Sequence, residues 1–196
     1  VKDNYSGVDT QQSKERDTIF KILEEAAVFY QQFFDKNKTA KDWVKKRGIN
    51  DDTIKKFRIG YAPESSKTLV NAAVKKGYSI EELCKAGIAS SDKDFFYNRI
   101  IFPIFDITGR VVAFGGRVLD DKASPKYINS PETAVYSKSR ILYGLNFAGK
   151  AVRTADSAVI LEGYIDVVMC HQFGFENTAA TLGTAFTSQH ASILKR

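Results

Sequence analysis

The chain has 196 residues, 43% of them hydrophobic, enough to bury one sizeable core or two small ones. No secretory leader and no bilayer-spanning apolar run are recognisable, which predicts a cytoplasmic protein away from membranes. Net charge is +6, and the two cysteines, Cys84 and Cys170, form neither a C-x-x-C pair nor zinc-ligand spacing, so disulfide and zinc frameworks are excluded.

Residues 1–12 are polar, carry no apolar period and read as a linker remnant or frayed start. From Ser13 to Phe34 the recurrence of Phe20, Leu23, Ala27, Tyr30 and Phe34 predicts a long amphipathic helix with its stripe in the core. A second helix is expected around Trp43 and closed by Gly48, and Asn50 offers the cap of a third ending at Phe57. The basic residues Lys45, Lys46 and Arg47, with Lys55, Lys56 and Arg58, suit a solvated face, with nucleic-acid contact as the alternative. Gly60-Tyr-Ala-Pro63 reads as a turn. Two short helices are expected, from Thr68 to Lys76 and from Ser79 to Ala86, the latter opened by the capping-box pair Ser79 and Glu82.

The texture changes near Phe95. Ile100 to Phe105 reads as a strand with Pro103 at an edge or bulge, Asp106 to Gly109 as a hairpin turn, and Arg110 to Phe114 as the returning strand. Gly115-Gly116 lets the backbone approach a neighbour or a ligand closely, directly before Arg117. Ser124 to Thr133 is rich in turn formers and polar groups, the kind of loop that tends to carry function. A short helix from Leu145 to Val152 leads into Ser157–Leu161, a branched apolar run expected to be a buried strand. Tyr164 to Phe173 carries helical spacing stopped by Gly174, Asn177 to Thr181 predicts a second strand, and Thr187 caps a last helix. This β-α-β-α order is half of a doubly wound sheet.

Glu162 then falls at the carboxyl end of a strand, where open α/β sheets bind ligands, and Asp166 in the first helical turn behind it. Two carboxylates there suit divalent-metal work on phosphates, or they complement the positive end of the helix. Charge supports the first reading. Residues 111–155 carry seven basic against three acidic side chains, and residues 156–196 two against four, so a basic track leads into an acidic corner. His171 and His190 have no partners at metal-ligand spacing and read as structural.

Taken together, Arg99-Ile-Ile-Phe-Pro-Ile, Gly109-Arg-Val-Val-Ala-Phe-Gly-Gly-Arg117, Pro125-Lys-Tyr-Ile-Asn-Ser-Pro-Glu-Thr133, Leu142-Tyr-Gly-Leu145, Leu161-Glu-Gly-Tyr-Ile-Asp166 and Ala180-Thr-Leu-Gly-Thr-Ala-Phe-Thr187 closely resemble the bacterial replicative DNA primase family, DnaG type. The helical Trp43, Lys46-Arg-Gly48 and Phe57-Arg-Ile-Gly-Tyr-Ala-Pro63 continue the resemblance. It implies an α+β and α/β architecture: an N-terminal subdomain over 13–155 (helical to 90, mixed over 91–155), joined to part of a doubly wound Toprim domain over 156–196. It implies synthesis of short RNA primers on a single-stranded DNA template from ribonucleoside triphosphates, with Mg²⁺ or Mn²⁺ and no membrane. Contact with a replicative helicase would lie in parent regions outside this chain.

By position, Glu162 and Asp166 match the family's Toprim metal-site acids, and the former also a proposed acid/base group. Arg117, Lys126 and Lys138 match basic residues lining the groove, while Lys126, Tyr127 and Asn129 fall in the motif placed to meet template or incoming nucleotide. Tyr127 suits base stacking or packing equally well. The family's further Toprim acids and its zinc module have no counterpart here, so the chain alone is expected to be inactive. Phe95 and Tyr97 stand where the family commonly has arginines, which removes a phosphate contact. The alternatives are a noncatalytic single-stranded DNA-binding module, or another Toprim enzyme of topoisomerase or nuclease type. The Pro-Lys-Tyr and Phe-Gly-Gly-Arg motifs speak against the latter.

Overall fold

The computed structural model of the chain describes residues 4–195. Helix α1 (Asn4–Lys36) starts well before the expected Ser13. The reading of 1–12 as a linker is therefore corrected from Asn4 onward, and its first three residues lie outside the described ones. Extending a nucleated helix costs little per residue, so a polar stretch continues a helix whose later turns are packed. Ile19, Ile22, Leu23, Ala26, Ala27, Tyr30 and Phe34 form the buried stripe, with Phe20 at its margin only partly covered. Two short helices follow, α2 (Lys38–Lys46) and α3 (Asp51–Lys56). Their N-caps are Asn37 and Asn50, each side chain accepting a backbone N–H at 2.8 Å.

The expected turn at Gly60 is instead strand β1 (Gly60–Ala62). Here Gly60 crosses α1 so closely that a Cβ would lie 2.6 Å from the Cβ of Tyr30. Three residues are too few for an alternating pattern to be visible. Helices α4 (Thr68–Lys75) and α5 (Ile80–Lys85) come next, α5 with the Ser79–Glu82 capping box in place. Lys67 offers α4 no side-chain cap. The buried Asp94 supplies it from the small hairpin of β2 (Ala89–Ser90) and β3 (Lys93–Asp94), accepting from Leu69 N at 2.9 Å and Val70 N at 2.8 Å.

Strands β4 (Arg99–Phe105), β5 (Val111–Val118) and β6 (Tyr127–Asn129) complete an antiparallel sheet of order β1-β4-β5-β6. Every residue of β4 and β5 is buried, because both faces of the sheet are covered. Ile100, Phe102 and Ile104 face one core cluster with α2, α3 and Tyr164, while Ile101 and Phe105 face another with α1, α4 and α5. That explains an apolar run where a half-exposed strand would alternate. Pro103 pairs with β5 only, beyond the last β1 partner and beside the bulge at Ile104/Phe105, as its missing N–H requires. The glycine pair in β5 makes room for aromatic rings. A Cβ on Gly115 would lie 2.3 Å from Tyr164 Cζ, and one on Gly116 2.7 Å from Phe96 Cδ1.

Helix α6 (Leu145–Ala155) leads to the parallel pair β7 (Val159–Leu161) and β8 (Thr178–Ala180), joined through α7 (Tyr164–Gln172) and followed by α8 (Ser188–Leu194). The expectation of a buried β7 is corrected: Val159 is 48% exposed, and Ile160 and Leu161 are only partly covered. Ile160 packs on the small cluster with α6 and α8 and Leu161 on the first core cluster beside α7, while Val159 is left in solvent. The first core cluster crosses the expected boundary at Ala155, uniting Phe57, Phe102 and Tyr143 with Tyr164, Val168 and Leu182. Tyr143 and Ala180 also exchange backbone bonds at 2.8 and 3.0 Å, and Gln172 bridges Gly48 O and Asn50 N.

Candidate nucleic-acid interface

Arg117 on β5 faces Tyr127 on β6 in direct register. Its side chain is 5% exposed, and its donors are already placed: Nε to Tyr127 Oη at 3.0 Å, Nη1 to Val118 O at 2.9 Å, Nη2 to Asp121 Oδ1 at 2.7 Å. The guanidinium lies 4.6 Å from the Trp43 ring centroid and 5.3 Å from that of Tyr127. Arg47 covers the same indole at 3.3 Å. Lys126 stands in solvent with its Nζ 3.9 Å from Asp121 Oδ1. The hydrogen bond from Arg117 is the main cause that holds the Asp121 carboxyl below the usual range.

Asn129 turns the other way. Its Oδ1 accepts from Tyr164 Oη and its Nδ2 donates to Leu182 O at 2.9 Å, so the amide ties β6 to α7 and to the turn after β8. Tyr164 is the joint of the molecule. Its ring lies parallel to Phe102 at 5.3 Å, meets Tyr143 edge-on at 4.7 Å, and passes over Gly115. Burial pushes its hydroxyl far above the ordinary tyrosine value, so it remains a neutral donor.

Glu162 and Asp166 bracket this tyrosine, and both are exposed. Gly163 is an N-cap without a side chain, and the Asp166 carboxylate folds back over it so closely that a Cβ there would lie 2.6 Å from Oδ2. Such a placement also complements the start of α7. Both carboxylates suit a hard divalent cation in donor type, but they supply two side chains, and no group of three potential ligand residues occurs among the described residues.

Lys138 keeps different company. Its backbone N–H donates to Glu132 at 2.9 Å and its carbonyl meets His190 Nε2 at 2.8 Å, so its loop is moored to α8. Among the described residues no hydrogen bond or ion pair joins it to the Arg117 group. His190 doubles as the reciprocal partner in the Thr187 cap, and His171 holds Thr178 O at 3.0 Å, edge-on to Phe57 at 5.4 Å. Both histidines sit in structural roles.

Sequence reasoning gave no site role to Trp43, Asp121 or Tyr164, and held Arg47 only as an alternative nucleic-acid contact. The signals were present for two of them: a basic run beside the single tryptophan, and a glycine pair inside a strand that had to admit a large ring. A cleft of about 660 Å³ among α1, α6 and α8 contains none of the predicted residues.

Residues 28–149 match the family model for the N-terminal domain of the DNA primase catalytic core, and residues 156–196 match one for the Toprim domain. The DNA primase of Clostridium acetobutylicum is 42% identical over 200 residues, covering 100% of this chain and 33% of that protein. The chain thus spans about a third of the length of the curated relatives it matches. Among solved structures, the RNA polymerase domain of Mycobacterium tuberculosis primase DnaG superposes with a TM-score of 0.86 at 32% identity, covering 91% of this chain and 60% of that one. A DnaG primase catalytic domain bound to single-stranded DNA gives 0.82 at 34% identity, covering 93% and 59%.

Proposed function

This chain belongs to the DnaG-type DNA primase family, and on that premise we propose that it is part of the catalytic core of a DNA-dependent RNA polymerase. That enzyme makes short RNA primers on single-stranded DNA from ribonucleoside triphosphates, in the cytoplasm. One observation supports the reading: the Tyr164–Asn129 bond joins β6, which bears Tyr127 and pairs with Arg117 of β5, to the start of α7, where Asp166 lies in the first turn and Glu162 just before it.

The residues divide the work by chemistry. Lys126 and Lys138 attract the phosphodiester backbone, and Arg117, fixed on Trp43 and Tyr127, gives the track a rigid positive floor. Tyr127, 40% exposed, offers a face on which a base stacks, an interaction worth roughly 1–3 kcal/mol. Asn129 positions Tyr164 and contacts the template only indirectly. Glu162 and Asp166 would hold Mg²⁺ or Mn²⁺ with water completing most of the shell. Such an ion supplies stabilisation of charge on the attacking 3′ oxygen and the departing pyrophosphate. With two carboxylates in hand, this chain alone binds strand and does not polymerise.

The test is titration of a labelled oligo(dT) at several salt concentrations. Alanine at Arg117, Lys126 and Lys138 should weaken binding and flatten the log–log salt slope by about 0.7 for each phosphate no longer neutralised. Unchanged affinity and slope would place the track elsewhere, and primer synthesis by the isolated chain would overturn its assignment as inactive.

A further inference from the structure

Three cations converge on one oxygen atom. Arg117 Nη2, Arg47 Nη2 and Lys126 Nζ lie 2.7, 3.7 and 3.9 Å from Asp121 Oδ1. Neither arginine depends on that carboxylate for its place. Arg47 rests on the Trp43 ring and donates Nη1 to Trp43 O at 3.3 Å, while Arg117 is bonded to Tyr127 Oη and Val118 O. The loop between β5 and β6 is held at its roots, by Trp43 Nε1 on Leu119 O at 2.9 Å and Arg99 Nη1 on Pro125 O at 3.0 Å. Its tip, 120–124, is exposed throughout. One acid facing three bases leaves two positive charges unmatched at this spot.

We infer that Asp121 is an internal stand-in for a backbone phosphate of single-stranded DNA, which keeps Arg117 paired while the groove is empty and yields its place when a strand binds. The inference rests on the reading of the groove given above. A phosphate oxygen satisfies Arg and Lys donors as a carboxylate oxygen does, and it brings neighbouring phosphates to the cations Asp121 leaves unmatched. The mostly buried Arg117 guanidinium needs an anion at all times, since an unpaired buried charge is costly. The exposed Asp121 side chain, by contrast, returns to water at little cost. Competition from a carboxylate tethered beside the groove lowers the affinity for any strand.

Fluorescence anisotropy of labelled oligo(dT) with the 196-residue chain decides the matter. Asp121→Asn should tighten binding about three- to tenfold, the scale of one partly exposed charge pair. Asp120→Asn removes the same formal charge next door, where the side chain accepts from the Lys122 backbone and pairs with no cation among the described residues, and should shift affinity less than about twofold. Binding that is unchanged or weaker in Asp121→Asn, or an equal gain from Asp120→Asn, overturns the inference. Arg47→Ala and Lys126→Ala separate the two layers. If they weaken binding while Asp121→Asn does not tighten it, the stand-in alone fails; if they change nothing, the groove fails with it. Should Asp121→Asn not fold, the unaltered chain still answers, because Trp43 is its single tryptophan and donates to the root of the loop. Its emission should change as oligo(dT) saturates, and constant emission contradicts displacement of the tip.

Discussion

The antiparallel sheet and the parallel pair carry the two halves of the candidate site on very different foundations. Strands β4 and β5 are buried end to end between two core clusters, and the basic track grows from that slab. The pair β7–β8 has a far smaller cluster of its own, with Leu142, Leu145, Ala148 and Ala179 as its buried members, and its first strand is only partly covered. The carboxylates therefore take their position from what they lean on. Tyr164 is the lever, since one ring contacts Phe102, Tyr143 and Gly115 while its hydroxyl reaches Asn129. A polar track tolerates an open groove; a carboxylate corner needs a rigid neighbour to hold its register.

Breaking the lever tests that contrast most severely. Tyr164→Ala removes a large ring from the shared cluster and should cost about 3–5 kcal/mol, read as a lower urea midpoint. It should also uncouple the regions, so that amide exchange rises first in β7 and β8 while β4 and β5 stay protected. Uniform deprotection would contradict the lever. Gly115→Ala attacks the same packing from the sheet side. Its Cβ meets the Tyr164 ring at 2.3 Å, and the overpacking should cost roughly 1–3 kcal/mol. Tyr164→Phe keeps the ring and deletes one hydrogen bond, leaving Asn129 Oδ1 without its donor, for a destabilisation of about 1 kcal/mol in thermal or urea melts.

The smallest effect concerns pH. Burial lowers the His171 pKa below the ordinary 6.5, so the folded chain binds fewer protons than the unfolded chain in that window. Stability from this site is thus complete above pH 6.5 and is lost as pH falls through the lowered folded value. Urea midpoints measured across that interval should fall less steeply for His171→Gln than for the parent chain. Equal slopes would mean that His171 titrates alike in the folded and unfolded chain.

Helices were the most legible part of the chain. Caps at Asn50, Ser79 and Thr187 and stops at Gly48 and Gly174 are local chemistry, and each appears where the residue types place it. The strands β1, β2, β3 and β6 were not legible, because segments of two or three residues owe their conformation to a partner strand distant in sequence. The polar start of α1 concealed a helix that propagates from its packed turns, and the apolar run of β7 suggested more cover than the described residues provide. Among the candidate site residues, the motif around Pro125-Lys-Tyr and the Glu162/Asp166 spacing are local features that the sequence displays, and their roles are proposals. Arg47 was read first as part of a solvated basic face, although Trp43 stands four residues earlier, in α2, within reach of its guanidinium. Asn129 was read as a ligand contact, and its amide is engaged with Tyr164 and Leu182, a pairing that only the tertiary arrangement creates.

The central claim is that the basic track and the carboxylate turn line one groove. Amide NMR shift mapping of the chain titrated with oligo(dT) addresses it without relying on catalysis. A shared groove requires a contiguous set of perturbed signals running from Arg47 and Arg117 through Lys126 and Tyr127 to Asn129 and on to Gly163. Perturbations confined to the lysines of α3 and α4, with Tyr127 and Gly163 silent, would contradict it.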